Sequence, residues 1–149
     1  MRKIIIIVIA SFVLNNCGYT PIYSSKEKNF YIEKISGKNS SKLNSKIANN
    51  LKIFSNENSK NIIEIEINSA KKIETIQKDD KGDPSRFQMT IVLNINITGE
   101  NYNKSKNFST NFNYDNDSNK FSLKQYEKEI EDILINKIIE KLVIYLSDF

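Results

Sequence analysis

Apolar and polar residues alternate most regularly between residues 87 and 97. Every second residue of this segment is apolar: Phe87, Met89, Ile91, Leu93, Ile95 and Ile97. Val92 alone breaks the polar series between them. Because successive side chains of a strand point to opposite faces, the pattern predicts a strand with one dry face and one wet face.

Three further segments have shorter or less regular alternation. Residues 30–35 predict a first strand, residues 63–76 a second, and residues 108–114 a last one. The second begins with Ile63, Ile65 and Ile67 between polar residues, and the last is defined by Phe108, Phe112 and Tyr114. We expect sequential strands to be antiparallel neighbours in one meander.

Two polar segments predict the turns between these strands. Residues 78–85 contain Asp, Gly and Pro and lack any apolar side chain, which favours a hairpin tip. Residues 99–101 contain Gly99 and predict the next turn.

A helical period appears at residues 43–54, where Leu43, Ile47, Leu51 and Phe54 form one apolar stripe. Ser40 or Ser41 is the predicted N-cap, and Ser55 with Asn56 ends the helix.

A longer helical stripe extends to the C-terminus. Its members are Tyr126, Ile130, Ile133, Leu134, Ile138, Leu142, Tyr145 and Leu146. Ser122 and Gln125 before it have the spacing of a capping box. We expect Tyr126, Ile130, Leu134 and Leu142 to face the sheet, because a long apolar stripe must be buried.

The order of elements, β-α-β-β-β-α, predicts the fold class. Both helices can cover the dry face of a four-stranded, mostly antiparallel sheet, which gives an α+β two-layer sandwich. Residues 30–149 have the length of one compact domain.

The first seventeen residues have a different character. Arg2 and Lys3 precede the apolar residues 4–14, which is typical of a secretory signal peptide over residues 1–16. The apolar run is shorter than the roughly 20 residues of a membrane-spanning helix. The alternative, a buried N-terminal strand, is disfavoured by the two leading cations.

Cys17 is the single cysteine, so an intramolecular disulfide is excluded. Leu14 and Gly18 around it resemble the lipobox of bacterial lipoproteins, although Asn15 and Asn16 stand where small residues are usual. The resemblance implies a covalent lipid on Cys17. Residues 17–29 are then the lipidated N-terminus and the tether between the membrane and the domain.

Composition excludes several functions. Half of the formal charge of +4 comes from Arg2 and Lys3, so we expect no nucleic-acid partner. The sequence contains no histidine, and we expect neither an enzyme nor a cofactor. A Ser–Lys dyad stays open because no pair stands out. Asp79, Asp80 and Asp83 lack the ligand series of a calcium loop, which favours a solvated turn.

Four short segments follow one another along the chain: Cys17, Gly18, Tyr19, Thr20, Pro21, Ile22 and Tyr23 at the start; Arg86, Phe87, Gln88 and Met89; Phe112, Asn113 and Tyr114; and residues 122–142 with Tyr126 and Glu127. In this order they resemble lipopolysaccharide-assembly lipoproteins of the LptE type.

The resemblance implies a lipoprotein on the periplasmic face of the outer membrane, anchored by its lipid. It implies a role as the plug of a β-barrel partner, an LptD-like translocon that delivers lipopolysaccharide to the outer leaflet. It also implies that Lys78, Lys81 and Arg86 contact lipopolysaccharide. Two alternatives remain open: those residues are a plain solvated hairpin tip, or the chain is a free-standing envelope lipoprotein that binds a small apolar ligand or acts as a spacer.

Overall fold

A computed structural model of the chain describes residues 30–37 and 41–148. The elements are β1 Tyr31–Gly37, α1 Lys42–Lys52, β2 Ile62–Lys78, β3 Pro84–Gly99, β4 Tyr102–Asp115 and α2 Lys120–Leu146. This order confirms the predicted α+β class with a four-stranded sheet and two helices. The predicted signal peptide, residues 1–16, and the tether with Cys17 lie outside the described residues.

The strands lie in the order β1-β2-β3-β4. β2, β3 and β4 form the expected antiparallel meander, but β1 pairs with β2 in parallel. The predicted mostly antiparallel sheet is confirmed, and the β1–β2 pair is the parallel exception to the meander. α1 returns the chain to the end of the sheet where β1 began, and a helical crossover of this kind joins parallel strands.

The two faces of the sheet differ as the alternation of β3 predicts. From Met89 to Ile97 every second residue of β3 is buried against the helices, together with Ile63, Ile65 and Ile67 of β2. Phe87 is half-buried at the end of the layer. From residue 70 onward β2 is exposed on both faces, and this part includes Ile73 and Ile76. β1 pairs with β2 only as far as Ile67, so the rest of β2 is an edge strand.

β4 begins at Tyr102, six residues before the predicted start. Lys104 and Lys106 occupy the helix-side positions there, opposite Ile97 and Ile95 of β3, so the segment has no apolar alternation. Backbone hydrogen bonds to β3 stabilise this part of the strand. Such bonds produce no apolar alternation, so the sequence pattern could not predict them.

α1 begins as predicted, with Ser41 as its N-cap. The Ser41 Oγ accepts a 3.0 Å hydrogen bond from the Asn44 backbone N–H. Ile47 and Leu51 are fully buried. Asn44 is the buried polar residue of the described core, and its Oδ1 accepts hydrogen bonds from the backbone N–H and the hydroxyl of Ser69 at 2.9 and 2.5 Å. This contact fixes α1 over β2.

The predicted start of α2 is wrong. The N-cap is Asn119, whose Oδ1 accepts hydrogen bonds from the backbone N–H groups of Phe121 and Ser122 at 3.0 and 3.2 Å. Asn119 is itself held by Asp117, which accepts from its backbone N–H at 2.8 Å. This turn precedes Ser122 in the chain, so Ser122 lies inside the helix and does not cap it.

Three of the four α2 residues predicted to face the sheet do so, while Ile133, another member of the stripe, is 47% exposed. Ile130, Leu134 and Leu142 are buried. Tyr126 is 44% exposed, so its predicted burial is wrong. Its ring lies edge-on to the ring of Tyr114 at 6.2 Å, at the rim of the core. Both helices contribute to one core with the dry face of the sheet, which makes the molecule a two-layer sandwich.

Candidate functional site

The residues predicted to meet lipopolysaccharide lie at one end of the β2–β3 hairpin. Lys78 is the last residue of β2 and lies opposite Pro84. Lys81 is in the turn, and Arg86 follows in β3, opposite Gln77. All three are exposed. The turn is shorter than the predicted 78–85, because Lys78 and Pro84 already belong to the strands.

Asp79 organises the tip of the hairpin. Its Oδ1 accepts hydrogen bonds from the backbone N–H groups of Lys81 and Asp83 at 2.9 and 2.8 Å. Its carbonyl accepts from the Gly82 N–H at 3.0 Å, and Gly82 has a φ of +86°, which glycine adopts without strain. The Asp79 side chain therefore closes the turn.

Arg86 lies on the helix-free face, between β2 and β4. Its Nε lies 3.3 Å from Asp115 Oδ1, and its side chain keeps 47% of its exposure. A guanidinium carries five donors in a planar fork, so the pair with Asp115 orients Arg86 while part of the fork faces solvent.

Beside Arg86, the end of β4 and the start of α2 form an open cleft of about 620 Å³. Its wall includes Asp115, Ser122, Tyr114 and Tyr126. The cleft thus combines hydroxyl, carboxylate and guanidinium groups with two aromatic rings. Groups of this kind can bind polar, hydroxylated or anionic molecules.

Tyr114 joins the two elements of this cleft. The phenol is 3% exposed, and its hydroxyl donates a 2.7 Å hydrogen bond to Glu127 Oε1. Burial, and then the hydrogen bond and charge of Glu127, raise the pKa of Tyr114 far above its ordinary value. The ring also contacts Phe87, with centroids 5.6 Å apart. Sequence patterns placed Tyr114 in the core but gave no partner. A buried tyrosine hydroxyl usually has a hydrogen-bond partner, so the predicted burial of Tyr114 was itself the signal that a partner exists.

An ionic cluster that joins α1, β2 and α2 was also missed. Glu131 of α2 accepts from Lys71 of β2 at 2.6 Å and from Lys46 of α1 at 3.2 Å, and Lys46 also pairs with Asp132. These residues are far apart in the chain, so spacing cannot reveal them. The cluster links three elements and has a structural role.

The charged groups of the cluster stabilise one another. Desolvation opposes the charge of Glu131, but Lys71 and Lys46 outweigh it and hold the pKa of Glu131 below its ordinary value. Desolvation likewise opposes the charge of Lys46, but Asp132 and Glu131 outweigh it and raise the pKa of Lys46.

Over residues 30–37 and 41–148, no three acidic or cysteine side chains come close enough to hold a metal ion. Neither described helix combines the length and apolar content needed to cross a bilayer. Cys17, the predicted lipidation site, lies outside the described residues.

No family model and no curated protein matches the sequence. The fold resembles solved structures of bacterial lipoproteins. Rare lipoprotein B from Shewanella oneidensis matches with a TM-score of 0.59 and 10% identity, over 79% of this chain and 94% of that chain. A minor lipoprotein from Acinetobacter baumannii matches with a TM-score of 0.57 and 13% identity, over 77% and 92%. Uncharacterized lipoprotein B from Nitrosomonas europaea matches with a TM-score of 0.56 and 12% identity, over 79% and 83%. At these identities the likeness shows a shared fold.

Proposed function

We propose that this chain is an outer-membrane lipoprotein of the LptE type. In this role it is anchored to the periplasmic face through a lipid on Cys17, plugs a β-barrel translocon, and assists the assembly of lipopolysaccharide at the outer leaflet. One coincidence carries the proposal: a sequence that resembles a signal peptide and lipobox precedes a fold shared with bacterial lipoproteins over most of their length. Neither catalysis nor a cofactor is part of it.

The lipid supplies the anchor. Each buried methylene contributes about 0.8 kcal/mol, so two or three acyl chains hold a protein on a membrane where one chain binds only reversibly. Residues 18–29 then separate Cys17 from Phe30, the first described residue, which is fully buried in the core. The domain itself needs no apolar surface for membrane attachment.

The sandwich has the properties that a plug requires. The lumen of a large outer-membrane barrel is polar and filled with water. A plug must therefore be rigid and have a polar exterior. Both helices pack against one face of the sheet in a single core. The opposite face of β3 and β4 carries Asn, Gln, Ser and Thr.

Lys78, Lys81 and Arg86 are the proposed lipopolysaccharide contacts. All three are exposed at one end of the hairpin, and Arg86 presents a fork that matches phosphate or carboxylate oxygens. Lysine adds positive charge without a fixed geometry. Glycolipid phosphates would compete with Asp115 for Arg86, and the pair is exposed enough to exchange.

Co-purification tests the proposal. Full-length protein extracted from its own membranes with a mild detergent should elute together with a β-barrel protein in equal amounts. The barrel is recognised by mass spectrometry and by its altered gel mobility after heating. Elution of the lipoprotein alone would contradict the proposal and favour a free-standing protein that binds a small apolar ligand or acts as a spacer.

A further inference from the structure

The helix-free face of β3 and β4 is unusual in its chemistry. Every second residue of β3 from Gln88 to Thr98, and every second residue of β4 from Asn103 to Asn113, lies on this face in six cross-strand pairs. The residues are Asn, Gln, Ser and Thr, and Val92 is the single aliphatic member. We call this surface the amide face. It contains no charged residue.

Cross-strand hydrogen bonds order the amide face. The Asn107 Nδ2 donates to Asn94 Oδ1 at 2.6 Å, and the Gln88 Nε2 donates to Asn113 Oδ1 at 2.9 Å. The Ser105 hydroxyl donates to Asn96 Oδ1 at 2.7 Å. Side chains that are already fixed lose less conformational freedom when a second surface covers them. The face is therefore preorganised for contact.

Neutrality distinguishes the amide face from an ordinary solvated surface. Charged residues make up 27% of the chain, and the surface of a soluble domain is typically about 25–35% charged. The charges on this side of the sheet flank the face: Glu64, Glu66, Lys72 and Glu74 on β2, and the Arg86–Asp115 pair at one end. Those beside the face have partners, because Glu66 accepts a 2.8 Å hydrogen bond from the Asn96 Nδ2 and Lys72 pairs with Glu74 at 2.7 Å. Burying an unpaired charge is costly, and the centres of protein interfaces are depleted in Lys, Glu and Asp. This face can lose its water without that cost.

The absence of aromatic rings narrows the choice of partner. The aromatic residues of β3 and β4, namely Phe87, Tyr102, Phe108, Phe112 and Tyr114, all occupy helix-side positions. The amide face consequently has no ring on which a sugar or an apolar ligand could stack. An extended neutral surface rich in hydrogen-bonding groups fits better.

The length of the face also matches such a surface. Residues 88–98 span ten steps of about 3.3 Å, or roughly 33 Å. The membrane-embedded band of an outer-membrane barrel is about 25 Å tall. The amide face is thus long enough to line the inner wall of a barrel over its full height.

We propose that the amide face docks against the polar inner wall of the β-barrel partner, with β3 and β4 as the contacting strands. This inference rests on the proposed plug function and specifies which side of the plug meets the wall. The helices and the ionic cluster then face the open lumen or the periplasm.

Charge insertion on both faces tests the docking. In one pair of variants Ser109 and Asn111 are both changed to Glu or both to Lys, which leaves the three cross-strand bonds above in place. In the control pair Gln125 and Asn136, exposed on α2, receive the same changes. The readout is the ratio of barrel to lipoprotein after detergent extraction of full-length protein, with thermal melts as the check on folding.

Both amide-face variants should lose barrel about tenfold or more, whatever the sign of the inserted charge, because the cost arises from desolvation. The control variants should retain the wild-type ratio. Retention of barrel by the amide-face variants would overturn this inference alone, whereas a wild-type protein without any barrel would overturn the plug function with it. Variants that keep the barrel but lose binding to lipopolysaccharide vesicles would assign the face to the glycolipid and also overturn the inference.

Photo-cross-linking keeps the test decisive if the charged variants fold poorly. A benzophenone amino acid at Asn111, in an otherwise unchanged chain, should cross-link to barrel residues that alternate along a strand and point inward. The same probe at Asn136 should give no such product. Cross-links absent at Asn111, or directed only to periplasmic turns, would overturn the inference.

Discussion

The hydroxyl of Tyr114 donates a 2.7 Å hydrogen bond to Glu127 Oε1 and thereby joins the end of β4 to the second turn of α2. The donor is buried and the acceptor is half-buried, so neither group is fully solvated in the folded state. The bond fixes the floor of the cleft beside Arg86.

Tyr114→Phe should lower the free energy of unfolding by about 1–2 kcal/mol, since it removes a hydrogen bond to a charged acceptor while keeping the ring. Urea unfolding measures the effect. Tyr126→Phe is the matched control, because that phenol is 44% exposed, and it should change stability by less than about 0.5 kcal/mol. Equal effects of the two substitutions would contradict the role assigned to the Tyr114–Glu127 bond.

The ionic cluster predicts a dependence of stability on pH. The pKa of Glu131 is lowered in the folded state, so the unfolded state binds more protons as pH falls. The contribution of Glu131 is therefore present above the ordinary pKa of a glutamate and is lost as pH falls through the folded value. The pKa of Lys46 is raised, so its contribution is present below its ordinary value of 10.5 and is lost at higher pH.

Glu131→Gln should consequently flatten the acid limb of the stability profile, measured by urea unfolding from pH 3 to pH 7. Glu140→Gln provides the control, because Glu140 is exposed on the same helix. An acid limb that is unchanged by Glu131→Gln would show that other carboxylates produce it.

Neighbouring residues of α2 test the two-layer packing. Leu134 is 0% exposed and Ile133 is 47% exposed, although they are adjacent in the chain. Leu134→Ala should cost about 2–5 kcal/mol, because it removes buried methyl groups and leaves a cavity. Ile133→Ala should cost less than about 1 kcal/mol. Similar melting temperatures for the two variants would contradict the packing of this face of α2 on the sheet.

Periodicity predicted the elements whose side chains pack in the core. The strict alternation of β3 and the stripes of α1 and α2 follow from burial, so Leu51, Ile91 and Leu134 could all be placed from the sequence. Apolar alternation does not indicate whether neighbouring strands are parallel or antiparallel. The parallel pairing of β1 with β2 follows from the crossover helix, and the start of β4 follows from its ladder with β3.

Contacts between distant residues account for what the sequence could not predict at the candidate site. The order of Lys78, Lys81 and Arg86 in one hairpin followed from the predicted turn. The pairing of Arg86 with Asp115 required the register of β3 on β4, and the bond from Tyr114 to Glu127 required the position of α2. Asn119 displaced Ser122 as the cap because Asp117 already fixes the preceding turn.

Lipidation of Cys17 is expected for the mature protein, because an unpaired cysteine after a sequence that resembles a signal peptide has no other evident role. Mass spectrometry of the purified protein should find acyl chains on an N-terminal Cys17. Cys17→Ala should leave the signal uncut or release the protein from membranes. An unmodified Cys17 in a chain that still begins with Met1 would contradict both the lipid anchor and the outer-membrane localisation.

The triple variant Lys78→Ser, Lys81→Ser, Arg86→Gln should weaken binding to purified lipopolysaccharide, because it removes the three cations of the hairpin end. Binding by wild-type protein should also fall as salt is raised, since exposed charges are screened. Stability should change little: the Arg86–Asp115 pair is exposed, and exposed pairs contribute about 0–1 kcal/mol.

A matched loss of charge separates a local contact from net charge. Changing Lys124, Lys128 and Lys137 to Ser or Gln removes three exposed cations from α2 and alters the net charge equally. Binding to lipopolysaccharide should persist in this control, and the barrel complex should persist in both variants. If the two triple variants bind lipopolysaccharide equally, the attraction comes from the charge of the whole domain. The hairpin end is then an ordinary solvated turn, closed by Asp79 for structural reasons alone.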